Sequence, residues 1–257
     1  MSNVIVIGGG AAGMMAAYAA ALCGHQVKLI EQNEKLGKKI FITGKGRCNI
    51  TNAGDMDNLF ANVMSNPKFL YSAFYTFNNE QMMSFLEEYG LKMKVERGNR
   101  VFPVSDYSSD VIATLRKALE DKNVEVFLHT KVDHLLVTEE QIKGVELSDG
   151  REVSADAVIV ATGGFSYQTT GATGDGYRFA EKTGHKLVQR TPALVPFEIK
   201  EAWVKELQGL SLRNVSVSVY NEKKKLYEDF GEMLFTHFGV SGPLILSASG
   251  MIKAKQF

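Results

Sequence analysis

Cysteine is scarce in this chain: two residues among 257, Cys23 and Cys48, too far apart in sequence to form a Cys-x-x-Cys pair. That scarcity excludes a disulfide scaffold and a cysteine zinc site, and it fits a reducing compartment. His25, His129, His134 and His185 show no metal-ligand spacing, so no metal centre is expected. Net charge is lacking too, with 29 Lys and Arg against 29 Asp and Glu. Nothing in that balance recommends a nucleic acid or a membrane surface as partner, since either would ask for a basic face. Val4 to Gly24 is free of charge, yet it lacks a basic leader and is broken by five glycines. Both features argue against a signal peptide and against a membrane span. A soluble, cytoplasmic protein is the expectation.

What is present starts with Val4-Ile-Val-Ile, then Gly8-Gly-Gly-Ala-Ala-Gly13, an alanine-rich run, and Val27-Lys-Leu-Ile-Glu31. The order is strand, glycine turn, helix, strand, acid, which is the dinucleotide-binding βαβ unit. Gly8 permits the tight turn, Gly10 lets backbone approach a pyrophosphate, and Gly13 allows close packing of the helix. A helix starting near Gly10 aims its free N–H groups and positive dipole end at phosphate. Glu31 at the second strand's end suits the hydroxyls of an adenosine ribose and repels a 2′-phosphate. FAD or NAD is therefore favoured over NADP.

Residues 33–52 show little hydrophobic period and read as a long, functional loop rich in Gly, Lys and Asn. Asn66-Pro67 and Asn79-Glu80 open helical stretches, the second closed by Gly90. Phe69, Tyr71, Phe74, Tyr75 and Phe77 are expected to pack into a helical core. Arg100–Val104 reads as extended, Ser109 as the cap of a helix from Asp110 to about Asp121, and Val124–Leu128 as a strand. Cys23 is expected in the core of the first helix. A β-meander follows over Val132–Val137, Ile142–Leu147 and Glu152–Ser154.

Asp156-Ala-Val-Ile-Val-Ala-Thr-Gly-Gly164 is an apolar strand running into small residues, which suits the carboxyl edge of a parallel sheet. Thr170-Gly-Ala-Thr-Gly-Asp-Gly-Tyr177 precedes a helix from about Arg178 to Thr183, and its Gly174 and Asp175 are expected in the same ligand wall. From Thr191 the composition turns to β. Ala193–Ile199, Leu212–Tyr220, Lys225–Phe230 and Glu232–Phe235 are the expected strands, with valines 215, 217 and 219 in period two. Lys223–Lys225 reads as a solvated hairpin turn. The fold class expected is α/β, a Rossmann-like parallel sheet with a meander in residues 1–190, followed by a β-rich domain in residues 191–257.

Gly37-Lys-Lys-Ile-Phe-Ile-Thr-Gly-Lys-Gly-Arg-Cys-Asn-Ile-Thr-Asn52, with Ala161-Thr-Gly-Gly164, Thr173-Gly-Asp-Gly176 and Leu234-Phe-Thr-His-Phe-Gly-Val-Ser-Gly-Pro243, resembles the BaiN-like, or aminoacetone-oxidase-type, family of FAD-dependent oxidoreductases. That resemblance implies FAD, with Gly8, Gly10, Ala11, Ala12 and Gly13 at the pyrophosphate and Glu31 and Gln32 at the adenosine end. It places Lys39, Gly46, Arg47, Cys48 and Asn49 toward the flavin, the Val132 backbone at the adenine, and Ala161, Thr162, Gly163 and Gly164 beside the dinucleotide. It also implies an inserted substrate domain after Thr191.

The family continues beyond such a domain to a last strand and helix, and no such segment is seen here, so the chain is expected to be an N-terminal part of that architecture. Met251–Phe257 matches no family motif. The implied activity is hydride transfer through flavin to or from a small organic substrate such as an unsaturated carbonyl compound, with NAD(P)H as a candidate donor. Arg47, Asn49 and His237 are the candidate catalytic groups: Arg47 to stabilise negative charge, Asn49 to hydrogen-bond the ring, His237 to donate a proton. A dithiol mechanism is disfavoured because Cys48 has no nearby partner in sequence. Two alternatives stand beside this reading, an NAD-only dehydrogenase and a non-enzymatic or catalytically impaired FAD-binding module.

Overall fold

Asn3–Ile7 forms β1, the inner strand of a parallel sheet. It is bonded on one side to Ala157–Val160 and on the other to β2 (Gln26–Ile30), which pairs in turn with Glu125–Phe127. A strand covered on both faces reads as an unbroken apolar run, and the alternation appears only in space. Val4 and Val6 join a core with Met14 and Ala17 of α1 (Ala11–Leu22), whereas Ile5 and Ile7 join Val132, Val145, Leu147 and Phe179. The first face is closed further by the helix Ser108–Asp121, through Val111, Leu115, Ala118 and Leu119. The second is closed by the antiparallel meander Val132–Thr138, Gln141–Leu147 and Glu152–Ser154. The expected α/β class and its parallel sheet are thus present in this computed structural model, which describes residues 1–252. Residues 253–257, the end of the stretch that matches no motif, lie outside the described residues.

These elements belong to a first compact unit, Met1–Ala61 with Lys68–Leu187. Several local expectations need correction within it. The stretch 33–52 is not one irregular loop: it holds α2 (Lys38–Ile42), a 3-10 turn at Thr43–Gly46 and a short strand at Thr51–Asn52. Burial supplies the order that periodicity does not announce, for Ile40 joins the main core. Cys23 is exposed, because α1 ends at Leu22 and Gly24 takes the left-handed turn at φ +83°. Ser109 is not a cap. The helix starts two residues earlier than expected, at Ser108 after Tyr107, and the Ser108 hydroxyl donates to Phe41 O at 2.9 Å.

The helix expected from Arg178 begins at Asp175, with Gly174 at its N-cap. The capping residue before the helix Asn79–Glu88 is Asn78, whose side chain accepts from the Gln81 N–H. Met93–Glu96 adds a strand beside Arg100–Pro103 that was not among the expected elements, although Leu91-Lys-Met-Lys-Val-Glu96 alternates apolar and polar residues. The aromatic group also departs from expectation: Phe69 is 79% exposed and Tyr75 71%. Tyr71, Phe74 and Tyr75 cluster around Phe60 instead of entering a core, with Phe60 4.6 Å from Tyr71 and 5.2 Å from Phe74 between ring centroids.

The second unit comprises Asn62–Pro67 and the chain from Val188 onward. Its sheet runs in the order Phe197–Glu198, Gly239–Ser241, Lys224–Phe235, Ser211–Asn221, all antiparallel. The expected strand Ala193–Ile199 shrinks to two residues, since Leu194 has φ +54° and Pro196 has no N–H to offer a ladder. The two expected strands after Lys225 are one, continuous through Gly231, which pairs with Val215. Val215, Val217 and Val219 are half-buried between exposed serines, as the period-two pattern requires. The apolar run after Gly242 is a helix, Pro243–Met251, with proline in its first turn.

Candidate dinucleotide site

The carboxyl edge of the parallel sheet is where the motifs converge. Gly8 N–H donates to Ile30 O, Ala161 N–H to Ile7 O and Glu31 N–H to Phe127 O, each at 2.8 Å. β1 lies between a strand that follows it directly and one that comes from far along the chain, so its end is a topological switch point, where open α/β sheets take ligands. A cleft of about 590 Å³ opens there, entirely within the first unit. Gly8, Gly10, Ala11, Ala12, Glu31, Gln32, Lys39, Val132, Ala161, Thr162, Gly163 and Asp175 all line it.

The glycine turn is built as its chemistry demands. Gly8 has φ +106°, and a Cβ on it would sit 2.5 Å from Ala161 O. A Cβ on Gly13 would come within 1.7 Å of Gly8 O, so only glycine lets the helix close on the turn. Gly10 has nothing within 4 Å of such a Cβ: its side of the turn is open space, not protein. α1 starts at Ala11 with no side chain capping it. Its first-turn N–H groups therefore remain available for an anion, aided by the helix dipole.

Glu31 is buried, and its carboxylate is already engaged. One oxygen accepts from Gly9 N–H at 2.6 Å; the other accepts from the Asn33 N–H at 2.8 Å and its side-chain amide at 2.6 Å. A carboxylate has about four acceptor sites, so capacity is left for a hydroxyl. Three lysines, Lys38, Lys39 and Lys131, also line the cleft. Lys38 is committed to Asn33 at 3.2 Å and Glu34 at 3.1 Å. Lys39 makes no hydrogen bond or ion pair among the described residues, and its Nζ is 3.9 Å from where a Cβ on Gly163 would stand.

The remaining expected residues sit elsewhere. Gly13 acts inside the turn, Gly174 caps its helix, and Gly164 lies near the Tyr177 hydroxyl, 3.5 Å from the place of its Cβ. Gly46, Arg47, Cys48 and Asn49 follow α2 but do not line the cleft. Arg47 is ion-paired to Glu96 and to Asp106, the latter at 2.7 Å, and its guanidinium lies 4.2 Å from the centre of the Phe102 ring. The Asn49 side-chain amide faces two carbonyl oxygens, so its nitrogen is assigned to that side, where it donates to Thr51 O at 3.1 Å and Val101 O at 3.3 Å. Cys48 is buried, and burial pushes its thiol up, the opposite of an activated thiolate. His237 belongs to the second unit, exposed, with its ring edge-on to Phe238 at 4.8 Å.

Gly9, Thr43, Thr130, Lys131, Gly171, Ala172 and Phe179 line the cleft as well and were not among the expected site residues. Gly9 and Gly171 stand inside glycine-bearing stretches and were within reach of the pattern. Thr130 arrives only through tertiary pairing, its N–H donating to Glu31 O at 3.0 Å. Among the described residues no group of His, Cys, Asp and Glu is arranged to hold a metal ion, and no helix is long and apolar enough to cross a membrane.

A parallel sheet with a glycine turn, an uncapped helix and an acidic strand end on one cleft, and with a meander covering its other face, defines the FAD-binding Rossmann class. The sequence matches the HI0933-like protein Rossmann domain over residues 2–249, and the chain belongs to that family. It is 34% identical over 245 residues to the 3-dehydro-bile acid delta(4,6)-reductase of Clostridium scindens, covering 94% of this chain and 58% of that protein. It is 30% identical over 255 residues to the ribosomal RNA dihydrouridine synthase of Escherichia coli, covering 99% of this chain and 62% of that protein. The chain thus spans about three fifths of the length of these relatives, 58% and 62%. The open conformation of a flavocytochrome c3 fumarate reductase shares the fold at a TM-score of 0.50 and 22% identity, over 83% of this chain and 47% of that one.

Proposed function

We propose that this chain binds FAD along the cleft at the end of β1 and serves flavin-dependent reduction or oxidation of a small organic substrate. The carrying observation is that the Gly8–Ala12 turn, the uncapped start of α1, Glu31 and Ala161–Gly163 share one cleft. The cradle fits the group. Backbone N–H groups at Gly10 to Ala12 would hold the pyrophosphate, Glu31 an adenosine ribose hydroxyl, and the Val132 backbone the adenine. Lys39 is the uncommitted cation of the cleft, suited to the anionic part of the cofactor. FAD bound here supplies a hydride carrier between a reduced donor, for which NAD(P)H is proposed, and an electron-poor double bond.

The substrate class follows from what the two relatives' names share. A reductase of a 3-dehydro delta(4,6) compound and a synthase of dihydrouridine both saturate a carbon–carbon double bond conjugated to a carbonyl. An unsaturated carbonyl compound is accordingly proposed for this chain. Arg47, Asn49 and His237 remain the proposed catalytic residues. For Arg47 the pairing to Glu96 and Asp106 favours a role in fixing the turn that presents Asn49.

The test is reconstitution. The purified chain is mixed with FAD, passed through gel filtration, and its visible spectrum recorded. Stoichiometric flavin absorbance is expected, and a folded chain that emerges colourless overturns the cofactor assignment. Flavin-bound protein that consumes NAD(P)H with a 2-enone acceptor supports the activity. Flavin retention without turnover favours a binding module.

A further inference from the structure

Gln32 and Asn33 follow Glu31 directly, and both send their amides away from β2. Gln32 Nε2 donates to Gly171 O at 2.8 Å, and Asn33 Nδ2 donates to Thr170 O at 3.1 Å as well as to Glu31 Oε1 at 2.6 Å. The accepting loop follows the strand Ala157–Val160, which lies on the far side of β1 from β2. These bonds therefore tie the two flanks of β1 together at the carboxyl edge. Lys38 Nζ donates to Asn33 Oδ1 at 3.2 Å, so the amide of Asn33 is used at both ends and its orientation is set.

The receiving loop is shaped to take them. A Cβ on Gly171 would lie 2.6 Å from Asn33 Nδ2 and 3.0 Å from Gln32 Nε2, and its φ is +93°. Only glycine leaves room for both amides at that approach. Thr170 and Gly171 line the cleft together with Glu31 and Gln32. Within that arrangement Glu31 Oε1 takes two donors from Asn33 and Oε2 takes one from Gly9. Of about four acceptor sites on a carboxylate, one is left for a ligand.

We propose that Gln32 and Asn33 are positioning residues for the adenosine part of the dinucleotide: they strap the 168–173 loop to the end of β2 as a wall of the cleft, and Asn33 holds Glu31 so that it presents a single acceptor to a ribose hydroxyl. The inference rests on the dinucleotide reading of the cleft and assigns work within it to two residues that no glycine motif specifies. The phosphate end depends on α1 and is separate from this strap. Loss of the strap therefore weakens ligands that contain adenosine and spares those that are only phosphate.

Asn33→Leu and Gln32→Met are near-isosteric, uncharged replacements that remove the donors. Calorimetric titration with ADP and with FAD is expected to show about tenfold weaker binding for Gln32→Met, which loses one hydrogen bond, and at least that for Asn33→Leu, which loses the side-chain bonds to Glu31, Thr170 and Lys38. Inorganic pyrophosphate, followed by the amide resonances of Gly10 to Ala12, is expected to bind both variants as it binds the parent. Equal weakening of pyrophosphate and ADP would show a general structural defect, and unchanged ADP binding would show no adenosine role; either overturns the proposal. If the parent chain binds neither FAD nor ADP, the cofactor reading itself fails, and the strap is decided by hydrogen exchange on the free protein. Faster exchange of the Thr170 to Thr173 amides in Asn33→Leu supports the strap, and unchanged exchange removes it.

Discussion

Gly10 and Gly13 stand three residues apart in one turn and do opposite work. A methyl on Gly13 meets the backbone oxygen of Gly8 at 1.7 Å, a clash that no side-chain rotation relieves, whereas a methyl on Gly10 points into open space. Gly13→Ala is therefore expected to cost at least about 1–3 kcal/mol of stability, the range for overpacking, seen as a lowered thermal midpoint without ligand. Gly10→Ala is expected to keep that midpoint and to weaken FAD instead, which a flavin titration reads directly. Arg47 offers a second residue-scale test. Hydrogen bonds from Arg47 hold the Glu96 carboxyl below its ordinary range, and those from Lys94 and Arg47 do the same to Asp106. A carboxylate with a depressed folded value stabilises the fold above its unfolded value, and that contribution is lost as pH falls through the folded one. The urea midpoint of the parent is thus expected to decline as pH drops below about 5, where carboxylates begin to protonate. It should decline less in Arg47→Met, and identical acid profiles would mean that the pairing contributes nothing. The glycine spacing was legible because it is local backbone geometry. The partners of Arg47, from Met93–Glu96 and from the turn after Arg100–Pro103, were not, because nothing in the chain near residue 47 names them.

At the scale of elements, hydrophobic pattern predicts what is long enough to display it and fails where an element is short or its rings pack on one another. β1, α1, β2 and the meander were readable because each shows its own run or alternation. α2 was not, since a five-residue helix has too few turns to display a face. The aromatic segment misleads in the other direction: rings spaced like a core stripe pack on each other, leaving Phe69 and Tyr75 largely in solvent. Phe69→Lys and Tyr75→Lys are accordingly expected to change stability by no more than about 0.5 kcal/mol, as ordinary surface substitutions do. Leu115→Ala, on the helix that closes the first face of the sheet, is expected to cost about 2–5 kcal/mol. Chemical denaturation of the three variants checks the contrast. A large loss in the lysine variants would return the aromatic group to the core.

For the molecule as a whole, the candidate site is a property of the first unit, and ligand binding should report there. FAD at a hundredfold excess over its dissociation constant is expected to stabilise the unit that binds it by about 2.7 kcal/mol. Hydrogen exchange should then show new protection at residues 8–13, 31–33, 161–163 and 170–172, the segments that contribute to the cleft or its turn. Protection at other segments alone would defeat the assignment. By itself the sequence determined the strand–turn–helix–strand unit, its acidic end, the meander, the Thr-Gly-Gly strand end and the family, because each is written in consecutive residues under local steric and periodic rules. Only the tertiary structure decided that Ala161–Gly163 meets the glycine turn across more than 150 positions of chain and that Asn33 and Gln32 reach the 168–173 loop. It also showed Arg47 already occupied by two carboxylates. Those contacts depend on which strands become neighbours in the sheet, and strand order is set by the burial of both its faces at once, a condition that no single stretch of sequence contains.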